Sequence, residues 1–521
     1  MLFNSPEFLF LFLPLCLFAF SFSAKHWGNE AAIGVLVFMS LVFYAYWNPV
    51  YLLLIIGSMI ANFKIGHWLG KQHSKPLLAL GVALNLGLLG YYKYANFFVD
   101  NVNYLFNGDW HIGTIVLPLA ISFFTFQQIA YLVDSYQGIT REYSFLHYAL
   151  FVSFFPQLIA GPIVHHKEML PQFESRKHYT LQRENIVIGL SIFAVGLFKK
   201  TVLADGVADY ANPVFNAADA GQTMDFFTAW GGTIAYTLQL YFDFSGYSDM
   251  AIGLARLFGI ILPLNFYSPY KAANISEFWR RWHMTLSRFL RDYVYIAMGG
   301  NRKGEARRYF NLMATMFLGG LWHGAGWNFA IWGTLHGGYL VVHQLWSQRL
   351  KTWGFTQFDK LWYRCFAWLV TIIAVMVGWV YFRAVTLEGA NTMLTAMAGM
   401  SDITVPNAIY SRLGPLADLL GSIGITANER GGSQFMLTWL WIACLTPIVL
   451  IMPNTQDMFA KVQFSLSRLS FERHDAFWPL CNTMKKLSWK QTARWAVLTG
   501  LLFSLSILTL TQVSEFMYFQ F

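Results

Sequence analysis

Charge is what this 521-residue chain has least of: Asp, Glu, Lys and Arg make up 12% of it, about half the share of an ordinary soluble protein. Apolar residues reach 56% and aromatics 18%. No soluble fold has enough interior to hide that surface, so most of it must face lipid or other buried helices. Cysteine is scarce too. Cys16, Cys365, Cys444 and Cys481 stand far apart with no CxxC spacing, which leaves no redox pair or cysteine metal site to argue from. The sequence contains no HxxxH or HExxH pattern, no GxxxxGK[ST] phosphate loop and no GxSxG elbow. Zinc, P-loop and serine-hydrolase chemistry therefore find no support, and no metal is expected. No internal repeat is visible, nor intramembrane carboxylates paired across one, which speaks against a repeat-built transporter. The opening stretch MLFNSPEFLFLFLPLCLFAF lacks the basic n-region of a signal peptide and reads as a retained span.

What is present is a series of apolar runs, near 8–24, 31–47, 50–65, 77–99, 114–133, 187–205, 226–243, 361–382, 435–452 and 493–513. Each is long enough for one crossing of a hydrocarbon core about 30 Å thick, and backbone in lipid must be helical. The stretches 145–163, 244–268 and 309–346 are apolar but irregular, the first interrupted by Pro156, Gly161 and Pro162. Broken helices at membrane depth need protein or a cavity around them, so the interior is expected there. The chain reads as one all-α polytopic membrane domain over 1–521: N-terminal helices over 1–133, a catalytic core with re-entrant segments over 145–346, and C-terminal helices over 361–521.

The basic loops set the orientation. Placing 64–75, 164–186, 269–308 and 453–492 inside, with Lys25, Arg141, 349–364 and Arg494 on the same side, gathers 29 of the 36 lysines and arginines in the cytoplasm and leaves both termini outside. The acidic segments 100–113 and 204–225 become outer loops, and the three irregular stretches must each enter and return to the same side. The net charge of +9 is then loop bias in contact with membrane lipids, with no nucleic-acid partner implied. Lys93, Lys199 and Lys200, near the outer ends of spans, read as snorkelling side chains.

Two stretches carry chemistry. In 277–302, EFWRRWHMTLSRFLRDYVYIAMGGNR, a helical periodicity puts Trp279, Trp282, Leu286, Phe289, Leu290 and Tyr293 on one face and Glu277, Arg280, Arg281, Arg288, Arg291 and Asp292 on the other. This predicts an amphipathic helix in the cytoplasmic interface, with aromatics down, charges out and His283 at the edge of the apolar face. The net positive charge of 269–308 suits the phosphates of a nucleotide-like donor, with Arg280, Arg288, Trp279 and Trp282 as candidate donor-binding residues, although loop bias alone accounts for it as well. In 318–337, LGGLWHGAGWNFAIWGTLHG, no charged residue occurs from Tyr309 to Gln348. A helical path carries His323 about 20 Å inward, and an ionisable residue at that depth is a functional candidate. Its imidazole suits a general base toward a hydroxyl. Gly319, Gly320, Gly324 and Gly326 allow close backbone approach or a narrow channel, with Gly320, Trp322, Gly324 and Asp249 as candidate lining. His336 has a similar setting and a weaker case; Asp243 and Asp249 otherwise read as structural.

EFWRRWHMTLSRFLRDYVYI followed by LGGLWHG resembles the membrane-bound O-acyltransferase family, in its branch of bacterial alginate O-acetyltransferases and teichoic-acid D-alanyl transfer proteins. LPLAISFFTFQQIAYLVDSYQG at 117–138, FFPQLIAGPI at 154–163, QLYFDFSGYSDMAIG at 239–253 and the terminal EFMYFQF support the likeness. The resemblance covers nearly the whole chain except 385–434 and 461–492, and leans to the alginate-like members. It implies a ring of roughly ten to twelve membrane helices around a thinner core with interfacial helices. It implies His323 as the catalytic histidine and His283 as the second characteristic one. It further implies acetyl-CoA as a cytoplasmic donor, a periplasmic or membrane-anchored partner that finishes transfer, exopolysaccharide machinery around both, and residence in the bacterial inner membrane. D-alanyl or another acyl transfer, and from a different class a lipid or substrate transporter, are the competing readings.

Overall fold

The computed structural model describes residues 1–140, 144–174, 181–357, 360–429, 431–466, 487–510 and 517. Most of the basic loop 461–492, Cys481 and, Met517 apart, the terminal EFMYFQF lie outside the described residues. Among them the only strands are Thr404–Pro406 and Thr426–Asn428, a short parallel pair within the segment 385–434. All other regular structure is helical.

Among the described residues six helices are long and apolar enough to cross a membrane: Phe8–Trp27, Tyr51–Gln72, Lys75–Phe106, Arg183–Asp219, Leu361–Arg383 and Gly432–Ile451. Asn29–Ala45 and Ala493–Leu508 are apolar but shorter. The run 114–133 contracts to the helix Ile121–Tyr136. Two expected boundaries do not exist. The segment 204–225 does not begin as an outer loop, because the helix Arg183–Phe198 continues through a π-helical turn, Lys199–Ala204, into Asp205–Asp219. Nor is 244–268 a re-entrant stretch: 226–257 is a single helix, Phe226–Leu257, of 32 residues. The Asp225 carboxylate caps its start by accepting from Thr228 N–H at 3.0 Å, and Gly259 in a left-handed turn follows its end.

Phe226–Leu257 is the central helix, buried along nearly its whole length. Its polar content cut the apolar run short at 243, and its burial explains why that content is tolerated: it faces protein, where lipid makes no demand for apolar side chains. It packs against Arg183–Phe198 along a glycine seam. A Cβ on Gly189 would fall 2.7 Å from the Gly253 carbonyl, and one on Gly196 would fall 2.7 Å from that of Gly246, so the two backbones touch.

The lysines read as snorkelling are engaged inside the protein. Lys199 Nζ lies 2.6 Å from the Asp249 carboxylate and 2.7 Å from Thr455 Oγ1, and Lys200 bridges Asp205 and Asp243, each at 2.8 Å. Lysine–aspartate pairs, which the sequence reading did not anticipate, therefore lie inside the protein. Asp249 is committed to an ion pair, which the expectation of a channel-lining carboxylate did not foresee.

The stretch 277–302 is not one amphipathic helix. Ile275–Arg281 ends at Trp282, His283 takes a left-handed conformation (φ 43°), and the chain resumes as Met284–Phe289 and a π-helical turn, Leu290–Tyr295. Trp279, Trp282, Leu286, Phe289 and Leu290 pack into the protein core. Arg281, expected outward, is buried against Glu277 at 2.6 Å. The stretch 309–346 does turn back on itself. Glu305–His323 and Trp327–Thr352 form a helical hairpin broken at Gly324–Gly326, its arms crossing where Gly320 meets Gly333.

Candidate active site

His323 is the last residue of the first hairpin arm, and the break behind it is made by Gly324 and Gly326 in extended conformations (φ −160° and −167°). His283 sits in the break between Ile275–Arg281 and Met284–Phe289. Two chain interruptions therefore meet, and their imidazole centroids lie 6.4 Å apart. Both rings are buried, at 0% exposure for His283 and 4% for His323. Trp322 at 4.8 Å, Trp332 at 5.1 Å and Phe382 at 5.2 Å surround His323 edge-on, and Phe244 stands edge-on to His283 at 4.8 Å.

Hydrogen-bond direction fixes the tautomer of His283. Thr285 N–H donates to Asn265 Oδ1 at 3.3 Å, with Thr285 Oγ1 at 3.0 Å from the same atom. A backbone amide only donates, so the facing Asn265 atom is its oxygen, which only accepts. His283 Nδ1, 3.1 Å from that oxygen, therefore carries the proton, and Nε2 is the basic nitrogen of the neutral ring. Asn265 also takes the Met284 N–H on its backbone carbonyl at 2.9 Å, so one asparagine holds the left-handed turn and the ring within it. Replacing Asn265 by leucine should lower kcat by about 10²-fold, as expected when a reacting group is misplaced, and the comparison to make is specific activity at matched amounts of folded protein.

His336 has the opposite tautomer. The Trp279 indole N–H donates to its Nδ1 at 3.3 Å, so its proton is on Nε2, and that nitrogen packs against Gly378.

The other predicted residues scatter. Trp279 and Trp282 belong to the aromatic core, Trp282 stacked at 5.6 Å on Phe278. Arg288 forms a two-pronged pair with Glu168 at 2.6 and 2.9 Å, which balances its charge. Arg280 is exposed, as are Arg302, Lys303 and Arg307. Trp322 stacks on Phe126 at 5.3 Å. Of the two functions open to the glycines, close packing is what the structure displays: a Cβ at Gly320 would strike the Phe329 carbonyl, and one at Gly324 the Phe329 ring. Asn265 was not singled out from the sequence; its neighbours in LPLNFYS give no local signal. Lys93 carried one, as a cation inside an apolar run.

Chemically, two imidazoles buried in an aromatic-walled site can take a proton from a hydroxyl and return it to a leaving group. Among the described residues no cluster of His, Cys, Asp and Glu could hold a metal.

A sequence model described as MBOAT, membrane-bound O-acyltransferase family, matches residues 134–385, a span that contains both histidines. The chain is similar to a peptidoglycan O-acetyltransferase of Helicobacter pylori, at 45% identity over 435 residues, which is 78% of this chain and 81% of that protein. It is also similar to a protein named probable alginate O-acetylase from Azotobacter vinelandii, at 41% identity over 423 residues, 79% of this chain and 81% of the other. A teichoic acid D-alanyltransferase of Bacillus subtilis matches at 27% over 277 residues, 51% of this chain and 68% of that protein.

Proposed function

We infer that this chain, which belongs to the membrane-bound O-acyltransferase family, moves acetyl groups from cytoplasmic acetyl-CoA through the bacterial inner membrane for O-acetylation of an exported envelope glycan. It is a multi-pass membrane O-acyltransferase. The observation that carries the finer reading is the buried His323–His283 pair at 6.4 Å, where two broken helices meet. Acetyl is favoured over D-alanyl because the relatives named as acetylating enzymes align at 41–45% identity, against 27–29% for those named as D-alanyl transferases.

In this reading His323 takes the proton of an acceptor hydroxyl. The oxygen attacks the thioester carbonyl, the carbon–sulfur bond breaks, and the thiolate leaves with the proton from the imidazolium. His283, fixed by Asn265, provides the second imidazole beside it. The basic loops lie in the cytoplasm and both termini outside. The nucleotide phosphates dock on the exposed cations Arg280, Arg302, Lys303 and Arg307; Arg288 is already balanced by Glu168.

The first acceptor is proposed to be a serine of a periplasmic or membrane-anchored partner that passes the acetyl group to the glycan. Among the described residues 385–434 is the only long stretch assigned to the outer side, a few short helices and a two-stranded pair, and little there could hold a polymer. Proteoliposomes given acetyl-CoA on the cytoplasmic face should acetylate alginate or peptidoglycan, supplied separately on the other face, only when an envelope extract containing the partner is added. Polymer acetylation by the chain alone would refute the relay, and donor turnover with D-alanyl thioester in place of acetyl-CoA would refute the acetyl assignment.

A further inference from the structure

The hairpin arm Glu305–His323 stops in the buried interior without a helical turn to close it, since Gly324 is extended. The last four carbonyls of any helix have no partner within it, and in lipid no water is at hand to satisfy them. Here three of them are taken by one segment of another helix. Tyr94 Oη–H donates to the Leu321 carbonyl at 2.6 Å. The Lys93 ammonium donates to the Trp322 carbonyl at 2.5 Å and to that of His323 at 3.1 Å.

Both side chains come from the π-helical turn Gly90–Tyr94 inside Lys75–Phe106. Such turns insert an extra residue into a helix and rotate the side chains beyond it. Lys93 thus puts a positive charge on the negative end of the helix dipole, with its ammonium 5.9 Å above the Trp322 ring. The same long helix also holds the far side of the break. Trp327 Nε1–H donates to Asn101 Oδ1 at 2.9 Å, and its ring stands edge-on to Phe97 at 5.8 Å. The Gly324–Gly326 interruption is therefore bracketed from one rigid element, and His323 is the residue immediately before it.

We propose that Lys93 and Tyr94 are positioning residues for acyl transfer, a clamp on the last turn of Glu305–His323 that fixes the direction of the His323 imidazole. The inference rests on His323 being the general base. With the clamp gone, the final carbonyls must find other donors, the turn frays and the imidazole shifts, although nothing that touches the acyl donor has been removed.

The test uses the purified full chain in the reconstituted assay above, with thiol release from acetyl-CoA as readout and thermal unfolding in detergent as the check on folding. Lys93→Met should lower kcat by about 10²-fold and Tyr94→Phe by about 10-fold, the scale of losses from a misplaced reacting group, with the KM for acetyl-CoA unchanged. Lys93→Arg keeps the charge and the donors and should recover most of the rate. A folded Lys93→Met with normal kcat, or one changed only in KM, would overturn the clamp. If that variant does not fold, Tyr94→Phe, which removes one oxygen and no volume, decides. His323→Ala run alongside separates the two readings. If it turns over normally, the base assignment has failed; if it is inactive while folded Lys93→Met is normal, only the clamp has failed.

Discussion

Replacing His323 by alanine should cut acyl transfer by about 10²–10⁴-fold, the usual range for losing a general base, with the amount of folded protein close to normal. The ring touches Trp322, Trp332 and Phe382 edge-on. Its removal leaves a small cavity among rigid aromatics, which costs stability without undoing the hairpin. That fold rests on the Gly320–Gly333 crossing and on carbonyls that alanine retains. His323→Gln is the sharper variant, since it keeps a polar group of similar reach and no proton-accepting nitrogen. Envelope acetate released by mild base from cells carrying each variant, normalised to protein in the membrane, measures the effect. Near-normal acetate in both variants would leave His323 a packing residue.

The second large effect belongs to stability. Lys199→Met strips the Asp249 carboxylate, 2% exposed, of its ammonium partner, and an uncompensated buried charge costs about 3–5 kcal/mol. The variant should unfold far earlier in detergent or fail to accumulate. Lys199→Met combined with Asp249→Leu removes both charges and should regain most of that loss, because replacing a buried pair by apolar residues is often neutral. The double variant also tests Asp249 as a lining residue. If the carboxylate lined the acyl path, the double variant would be folded and inactive. Retained activity assigns Asp249 to the ion pair with Lys199 and Thr455.

How much could be read in advance depends on where each constraint originates. Lipid imposes composition, so the spans that meet lipid, such as Tyr51–Gln72 and Leu361–Arg383, stand out as apolar runs. Phe226–Leu257 meets protein on nearly every side, and its Thr, Gln, Ser and Asp residues broke the apolar run at 243 where no structural break exists. Lys93, Lys199 and Lys200 were judged by position along a span, yet each has partners distant in sequence: Trp322 and His323 for Lys93, Asp249 for Lys199, and Asp243, beside the nearby Asp205, for Lys200. The face assignment over 277–302 was right about which residues are apolar and wrong about what they face, because the left-handed turn at His283 depends on Asn265, which no local pattern announces. The two histidines that the structure brings within 6.4 Å were both singled out in advance, one from its place in an uncharged run and both from the family motif.

The glycine seam between Arg183–Phe198 and Phe226–Leu257 leaves the chain with an asymmetric freedom to drift. In an ordinary packed interface, a residue that grows can be accommodated by a neighbour that shrinks. At Gly189 and Gly253, and at Gly196 and Gly246, each facing residue is already the smallest available, and what an added methyl would strike is backbone, 2.7–2.8 Å away. No second substitution can restore the fit. Variation that reshapes this enzyme for a new acceptor must therefore enter through the outer helices and loops, with the axis of the molecule held constant beneath it.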